Sequence, residues 1–253
     1  MTYLAVAIIS LLLGSFYNVC IHRIQSGKSI VYPPSHCPSC NHTLGPLDLV
    51  PVFSYMILLG KCRYCRERIS PRYPIVELLT SISYILMYKT LGLTWSFAAY
   101  SVLLGILIIT TFIDIEQQII PNILIVIGLV TGLFFSAISI TTGIADALLG
   151  FCLGFGSLLI VALLAKLLIR KEGMGGGDIK LLGMIGLFLG WKLTLLTLIL
   201  SIYIGGIFSL FLLLLKLKKK GDYIPFGPFI SLAGFISLLW GNNIIQWYLW
   251  ISS

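Results

Sequence analysis

The sequence predicts an all-α polytopic membrane protein, with about eight transmembrane helices and a small cytoplasmic zinc-ribbon-like loop. Three observations point that way. Of 253 residues, 58% are hydrophobic and only 10% charged, against about 25% charged in a soluble domain, so lipid is the solvent for most of the chain. The apolar residues gather into runs at 3–21, 75–88, 97–113, 119–140, 144–169, 181–190, 193–215 and 226–250. The cations fall almost wholly on one side of the membrane that these runs imply.

No Lys or Arg precedes the first run, and Arg23 and Lys28 follow it. That is the polarity of an uncleaved span with its N-terminus outside, not of a cleaved signal. Counting inward and outward from there, seven cations lie within residues 22–74. Lys166, Arg170, Lys171 and Lys180 flank the loop after the fifth run, and Lys216 with Lys218, Lys219 and Lys220 follow the seventh. All of these are cytoplasmic; only Lys89 and Lys192 fall outside. The formal net charge of +8 is therefore a topology signal, and no nucleic-acid partner is expected. The cationic turn before Asp222 faces anionic lipid headgroups, while Trp240, Trp247, Tyr248 and Trp250 make an outer aromatic belt. The run 181–190 is too short to span by itself. Either the glycine-rich stretch before it continues it, or it is a short helix packed inside the bundle.

Three segments result: a first span in 1–21, a polar loop in 22–74 and a helical core in 75–253. The loop carries Cys37-Pro38-Ser39-Cys40 and Cys62-Arg63-Tyr64-Cys65, 21 residues apart. Two CxxC knuckles at about this spacing read as a zinc ribbon, because four thiolates suit a closed tetrahedral site. Two disulfides are the alternative, disfavoured where a cytoplasmic loop keeps its thiols reduced. Cys20 and Cys152, inside apolar runs, read as small buried residues. Pro71 and Pro74 open the second span, and Glu77 one turn inside it either pairs with Arg72 or faces the bundle interior.

The chemistry centres on Gly173-Met174-Gly175-Gly176-Gly177-Asp178, set between two long apolar runs. An ionisable residue so close to a hydrophobic span is costly and marks a functional site by default. Asp178 can simply cap the next helix. It can also pair with Asp114, which ends the third run on the same, cytoplasmic side. Two neighbouring carboxylates that share a proton can serve as acid and base together. Glycines 175, 176 and 177 would let another backbone approach Asp178 closely. Asp146, at the outer start of the fifth run, cannot join such a pair. Two other classes need weighing. A proton-coupled transporter needs mid-membrane acids and inverted repeats, which the sequence lacks; a zinc-ribbon scaffold needs no aspartate pair.

Taken together, these stretches resemble the type IV prepilin peptidase family of GxGD-type intramembrane aspartic proteases. The likeness rests on Leu11-Leu12-Leu13-Gly14-Ser15-Phe16-Tyr17-Asn18-Val19, the two knuckles, Ile69-Ser70-Pro71-Arg72-Tyr73-Pro74-Ile75-Val76-Glu77, Asp114 with Ile120-Pro121, and Gly173 to Leu181, all in order. The resemblance implies that Asp114 and Asp178 are the catalytic aspartates of an enzyme in a prokaryotic cytoplasmic membrane. It implies a prepilin or pseudopilin substrate, cut after a Gly at the cytoplasmic face. It further implies N-methylation of the new terminus from S-adenosylmethionine, an activity the family associates with the cysteine-rich loop, where Gly60 and Lys61 match residues linked to it. A peptidase without the methyltransferase activity is the alternative.

Overall fold

The computed structural model describes residues 1–169, 175–217 and 224–252. Gly173 and Met174, the cations Arg170, Lys171, Lys218, Lys219 and Lys220, and Asp222 lie outside them. The chain divides into two compact units, Met1–Leu93 and Thr94–Ser253. Among the described residues it is helical, with no strand beyond two isolated bridges in the loop, His36 with Thr43 and Lys61 with Arg68. Among the described residues, five helices are long and apolar enough to cross a membrane.

In the first unit, α1 (Thr2–Gln25) packs on α3 (Arg72–Leu91), with a short α2 (Phe53–Ile57) in the loop between them. Gly14 sets the approach: a Cβ there would lie 2.7 Å from the Glu77 Cα. Apolar packing gains little from excluding lipid, so polar bonds join the helices as well. Ser10 reaches Ser81 at 3.3 Å, the Tyr17 and Tyr84 hydroxyls lie 2.8 Å apart, and Asn18 Nδ2 donates to the Tyr73 carbonyl at 3.0 Å.

The second unit contains α4 (Trp95–Gln117), α5 (Asn122–Ala137), α6 (Ile144–Ile169), α7 (Gly176–Leu214) and α8 (Gly227–Ser252). The predicted sixth and seventh runs are two helices that meet without a loop at Gly190, and the pair is labelled α7. Helix α7 covers 39 residues and is broken at Gly190, whose φ of 74° and ψ of 174° are not helical. Its first half is buried on every side, with Leu181, Leu182, Met184, Ile185 and Phe188 all at 0% exposure. A helix that is apolar all round belongs in the middle of a bundle, and α5, α6 and α8 pack around it. This is the second of the two alternatives for the short run. Gly150 of α6 and Gly186 of α7 meet backbone to backbone, where a Cβ on either would overlap the other's carbonyl. Small residues allow this close crossing.

Where the two helices meet, carbonyls leave the helical ladder and need other donors. Side chains supply them: Ser136 Oγ donates to Leu187 O at 2.7 Å, Tyr100 Oη to Phe188 O at 3.4 Å and Thr194 Oγ1 to Gly190 O at 2.6 Å. The backbone at Gly190 is in a region open essentially to glycine alone. Gly190→Ala is therefore expected to lower the thermal unfolding midpoint in detergent, with a cost of about 1–3 kcal/mol. An unchanged midpoint would show that the break relaxes freely.

Candidate active site and thiol cluster

Both aspartates lie in the second unit. Asp114 is on the last turn of α4, which ends at Gln118 in the left-handed conformation, with the Gln118 N–H bonded to the Asp114 carbonyl. Asp178 is in the first turn of α7, three residues after the N-cap Gly175; it does not cap the helix. Asp114 is 3% exposed and Asp178 5%. The two carboxylates are close enough to interact electrostatically. They line one cavity of about 300 Å³ together with Gln118, Asn122, Gly176 and Lys180. Lys180 Nζ donates to Asn122 Oδ1 at 3.0 Å. A Cβ on Gly176 would meet nothing within 4 Å, whereas one on Gly177 would press on Ile120 at 2.9 Å. Gly176 thus leaves an open approach, and Gly177 allows the chain after Asp114 to pack against α7.

The Gly227 N–H, at the start of α8, donates to Asp114 Oδ2 at 3.0 Å. A Cβ at Gly227 would lie 2.6 Å from that oxygen. Asp146 is elsewhere, with its Oδ2 3.0 Å from where a Cβ on Gly190 would stand.

In the first unit the four predicted ligands converge. The sulfurs of Cys37, Cys40, Cys62 and Cys65 all lie within 4.8 Å of one another, unbridged. The knuckles repeat one backbone pattern. Asn41 N–H bonds Cys37 O and Arg66 N–H bonds Cys62 O, with Asn41 and Arg66 both at positive φ. A zinc–sulfur tetrahedron of radius ~2.3 Å has sulfur–sulfur edges of about 3.8 Å, and Cys37 Sγ lies 3.8 Å from Cys65 Sγ. The set fits zinc. Burial works to raise the Cys37 thiol, but the Cys40 and Ser39 N–H groups and its neighbouring thiols bring it down to about 7. At Cys65 the Glu67 N–H works to lower the thiol; burial and the surrounding thiols outweigh it and push it up to about 12. Four clustered thiols resist losing their protons together, and a divalent cation removes that conflict. Asp48 ties the cluster in place, accepting from Arg63 Nε at 2.6 Å and Tyr64 Oη at 3.1 Å.

The pattern of the bacterial peptidase A24 N-terminal domain matches residues 8–91, and that of the type IV leader peptidase family matches residues 101–210. A prepilin leader peptidase/N-methyltransferase of Aeromonas salmonicida (strain A449) is 37% identical over 269 residues, covering 96% of this chain and 92% of its own length. Those of Pseudomonas aeruginosa (36%; 97% and 93%) and Bacillus subtilis (34%; 96% and 96%) align as fully. The chain belongs to the type IV leader peptidase family. No solved structure matches it. With its apolar helices, the chain is a multi-pass membrane protein.

Two features of the chain escape sequence reasoning. Gly227 lies in Ile224-Pro225-Phe226-Gly227-Pro228, which reads only as the opening of the last span. The second is a cavity of about 450 Å³ in the first unit. Gly60 and Lys61 are not among its lining residues. Gly60, at φ +68°, packs on Tyr55, which is one of them. Glu77 is 6% exposed and accepts from the Val52 N–H at 2.7 Å. It faces the interior, as one of its two sequence readings had it.

Proposed function

We propose that the chain removes the leader from type IV prepilins or pseudopilins by cutting after a Gly at the cytoplasmic face, and N-methylates the terminus it exposes. The observation that carries the peptidase half is two buried carboxylates, Asp114 and Asp178, lining one cavity that opens past Gly176.

Close carboxylates avoid double ionisation and hold one proton between them. The Gly227 N–H and the start of α8 favour negative charge on Asp114, so in the resting pair the proton sits on Asp178. Asp114 takes a proton from water as its oxygen attacks the scissile carbonyl carbon, while Asp178 gives its proton to the carbonyl oxygen. When the C–N bond breaks, the proton held by Asp114 passes to the leaving nitrogen. The carbonyl oxygen returns its proton to Asp178 as the new carboxyl forms, restoring the pair. Gly176 admits the substrate backbone beside Asp178.

Cys37, Cys40, Cys62 and Cys65 hold a structural zinc that orders the loop. S-adenosylmethionine, when bound, supplies an electrophilic methyl group for the freed amine. Gly60 and Lys61 serve that second reaction from the loop.

Gly227 positions Asp114. A misplacement of about 1 Å at a reacting group costs on the order of a hundredfold in rate. Gly227→Ala, whose methyl would land beside Asp114 Oδ2, is expected to lose about that much cleavage with an unchanged unfolding midpoint. Cleavage at the wild-type rate would remove Gly227 from the mechanism. The whole function is tested by incubating a prepilin with the purified chain and S-adenosylmethionine and measuring the intact mass of the product. Leader loss plus one added methyl group supports both halves. Leader loss without the methyl leaves a peptidase alone, and an uncut prepilin overturns the reading.

A further inference from the structure

Methyl transfer needs a donor site, and among the described residues no sheet is present to provide one. The first unit instead contains the cavity of about 450 Å³, within the roughly 300–1,000 Å³ of sites that enclose small molecules. All its lining residues belong to that unit, and by chemical kind they make three layers.

Its most buried polar side chains, Asn18 and Glu77, offer acceptors and are taken as its floor. Asn18 is 1% exposed, and its Nδ2 is used by the Gly14 and Tyr73 carbonyls at 3.3 and 3.0 Å. Its Oδ1 has no hydrogen-bond partner. Such an atom, buried, costs about 1–3 kcal/mol unless a ligand or water answers it. Glu77 lies on the facing helix, with Oε2 engaged by Val52 N–H. A buried carboxylate and an orphaned amide oxygen lining one cavity call for a cationic donor. The walls are apolar, from Leu44, Leu49, Leu58, Ile69 and the Tyr55 ring. A basic layer is made by His22, Arg23 and Arg72; of the acids that also line the cavity, Asp48 is tied to Arg63 and Tyr64, and Glu67 is exposed. Arg23 is itself 8% exposed and held by the Ser29 carbonyl at 3.0 Å.

A ligand that matches all three layers carries a positive charge, a flat apolar ring system and a carboxylate. S-adenosylmethionine has these: an ammonium and a sulfonium, an adenine, and the methionyl carboxylate. We infer that this cavity is the methyl-donor site, with Asn18 and Glu77 answering the donor's positive end, the leucine wall its adenine, and the basic layer its carboxylate. This rests on the reading that the chain is a methyltransferase. Cys37 and Cys62 also line the cavity, so the thiol cluster forms part of its wall. That gives a physical reason for a cysteine-rich loop to serve methylation. Gly60 acts indirectly, by letting Tyr55 take its place in the wall.

The test measures equilibrium binding of radiolabelled S-adenosylmethionine to the purified full-length chain in detergent. Glu77→Gln keeps the acceptor for Val52 but removes the charge, and Asn18→Ala removes the orphaned oxygen. Each is expected to weaken donor binding about tenfold or more, as loss of a buried charged or amide partner does, with the metal content and monodispersity of the wild type. Leu58→Trp, which fills the cavity from a half-exposed wall position, should abolish binding and carries the test should either floor variant fail to fold. Wild-type donor affinity in all three overturns the cavity while leaving the methyltransferase intact. So does a raised KM for prepilin with donor affinity unchanged, which would make the cavity a substrate site. A wild-type chain that neither binds nor uses the donor, yet cleaves, overturns the methyltransferase reading and this site with it.

Discussion

Asp114→Asn and Asp178→Asn are each expected to lower leader cleavage by on the order of a thousandfold or more, the upper range for losing a general acid or base. The reasoning is local. The two side chains line the same cavity, and each is almost wholly buried. With amide in place of carboxylate at 114, no base remains for water. With amide at 178, the carbonyl oxygen loses its proton donor. Neither change alters volume, so the bundle should unfold at the wild-type temperature. Asp146→Asn is the control, since its carboxylate lies by Gly190 at the break in α7, and cleavage should stay within about twofold. Loss of cleavage in the Asp146 variant would mean that the helix break, not the aspartate pair, limits the reaction.

The second large effect is on the loop. Between residues 26 and 71 only Cys37, Pro51, Gly60 and Cys62 are buried, so the segment has almost no apolar core apart from the cluster itself. A structural zinc contributes about 10–16 kcal/mol of apparent binding free energy to a small domain, which here would supply most of what orders the loop. Cys37→Ser should therefore release the metal, from about one per chain to none. It should expose the loop to protease, while α1 and α3 stay paired through Tyr17, Tyr84 and Gly14. Methyl transfer should fall further than cleavage, because Cys37 lines the donor cavity and the aspartates lie in the other unit. A stoichiometric yield of metal-free wild-type chain with free thiols and a protease-resistant loop would contradict the structural zinc.

The helical runs were visible in the sequence because lipid demands long apolar stretches, and ionisable residues stand out against them. Asp114 and Asp178 were found for that reason, and the cysteines because ligand spacing in a ribbon is local. Residues 181–190 and 193–215 were separated at Trp191-Lys192, where hydropathy dips. The structure puts the boundary between the two helices one residue earlier, in a single glycine conformation at Gly190, with no loop between them. Gly227 left no trace because its contribution is a backbone N–H, which every residue but proline possesses. The donor cavity was hidden for another reason. Asn18 and Glu77 are far apart in the chain, and each passes alone for an ordinary polar residue in a span. Only the pairing of α1 with α3 makes them one floor.

The central claim is that the two carboxylates work as a unit. Groups that act together are strongly non-additive when removed. The decisive measurement is the single-turnover rate of leader removal from a prepilin in liposomes, for Asp114→Asn, Asp178→Asn and the double variant. The account predicts that the double variant is slower than either single by no more than a few-fold. Robust cleavage by either single variant, or losses that multiply in the double, would contradict it.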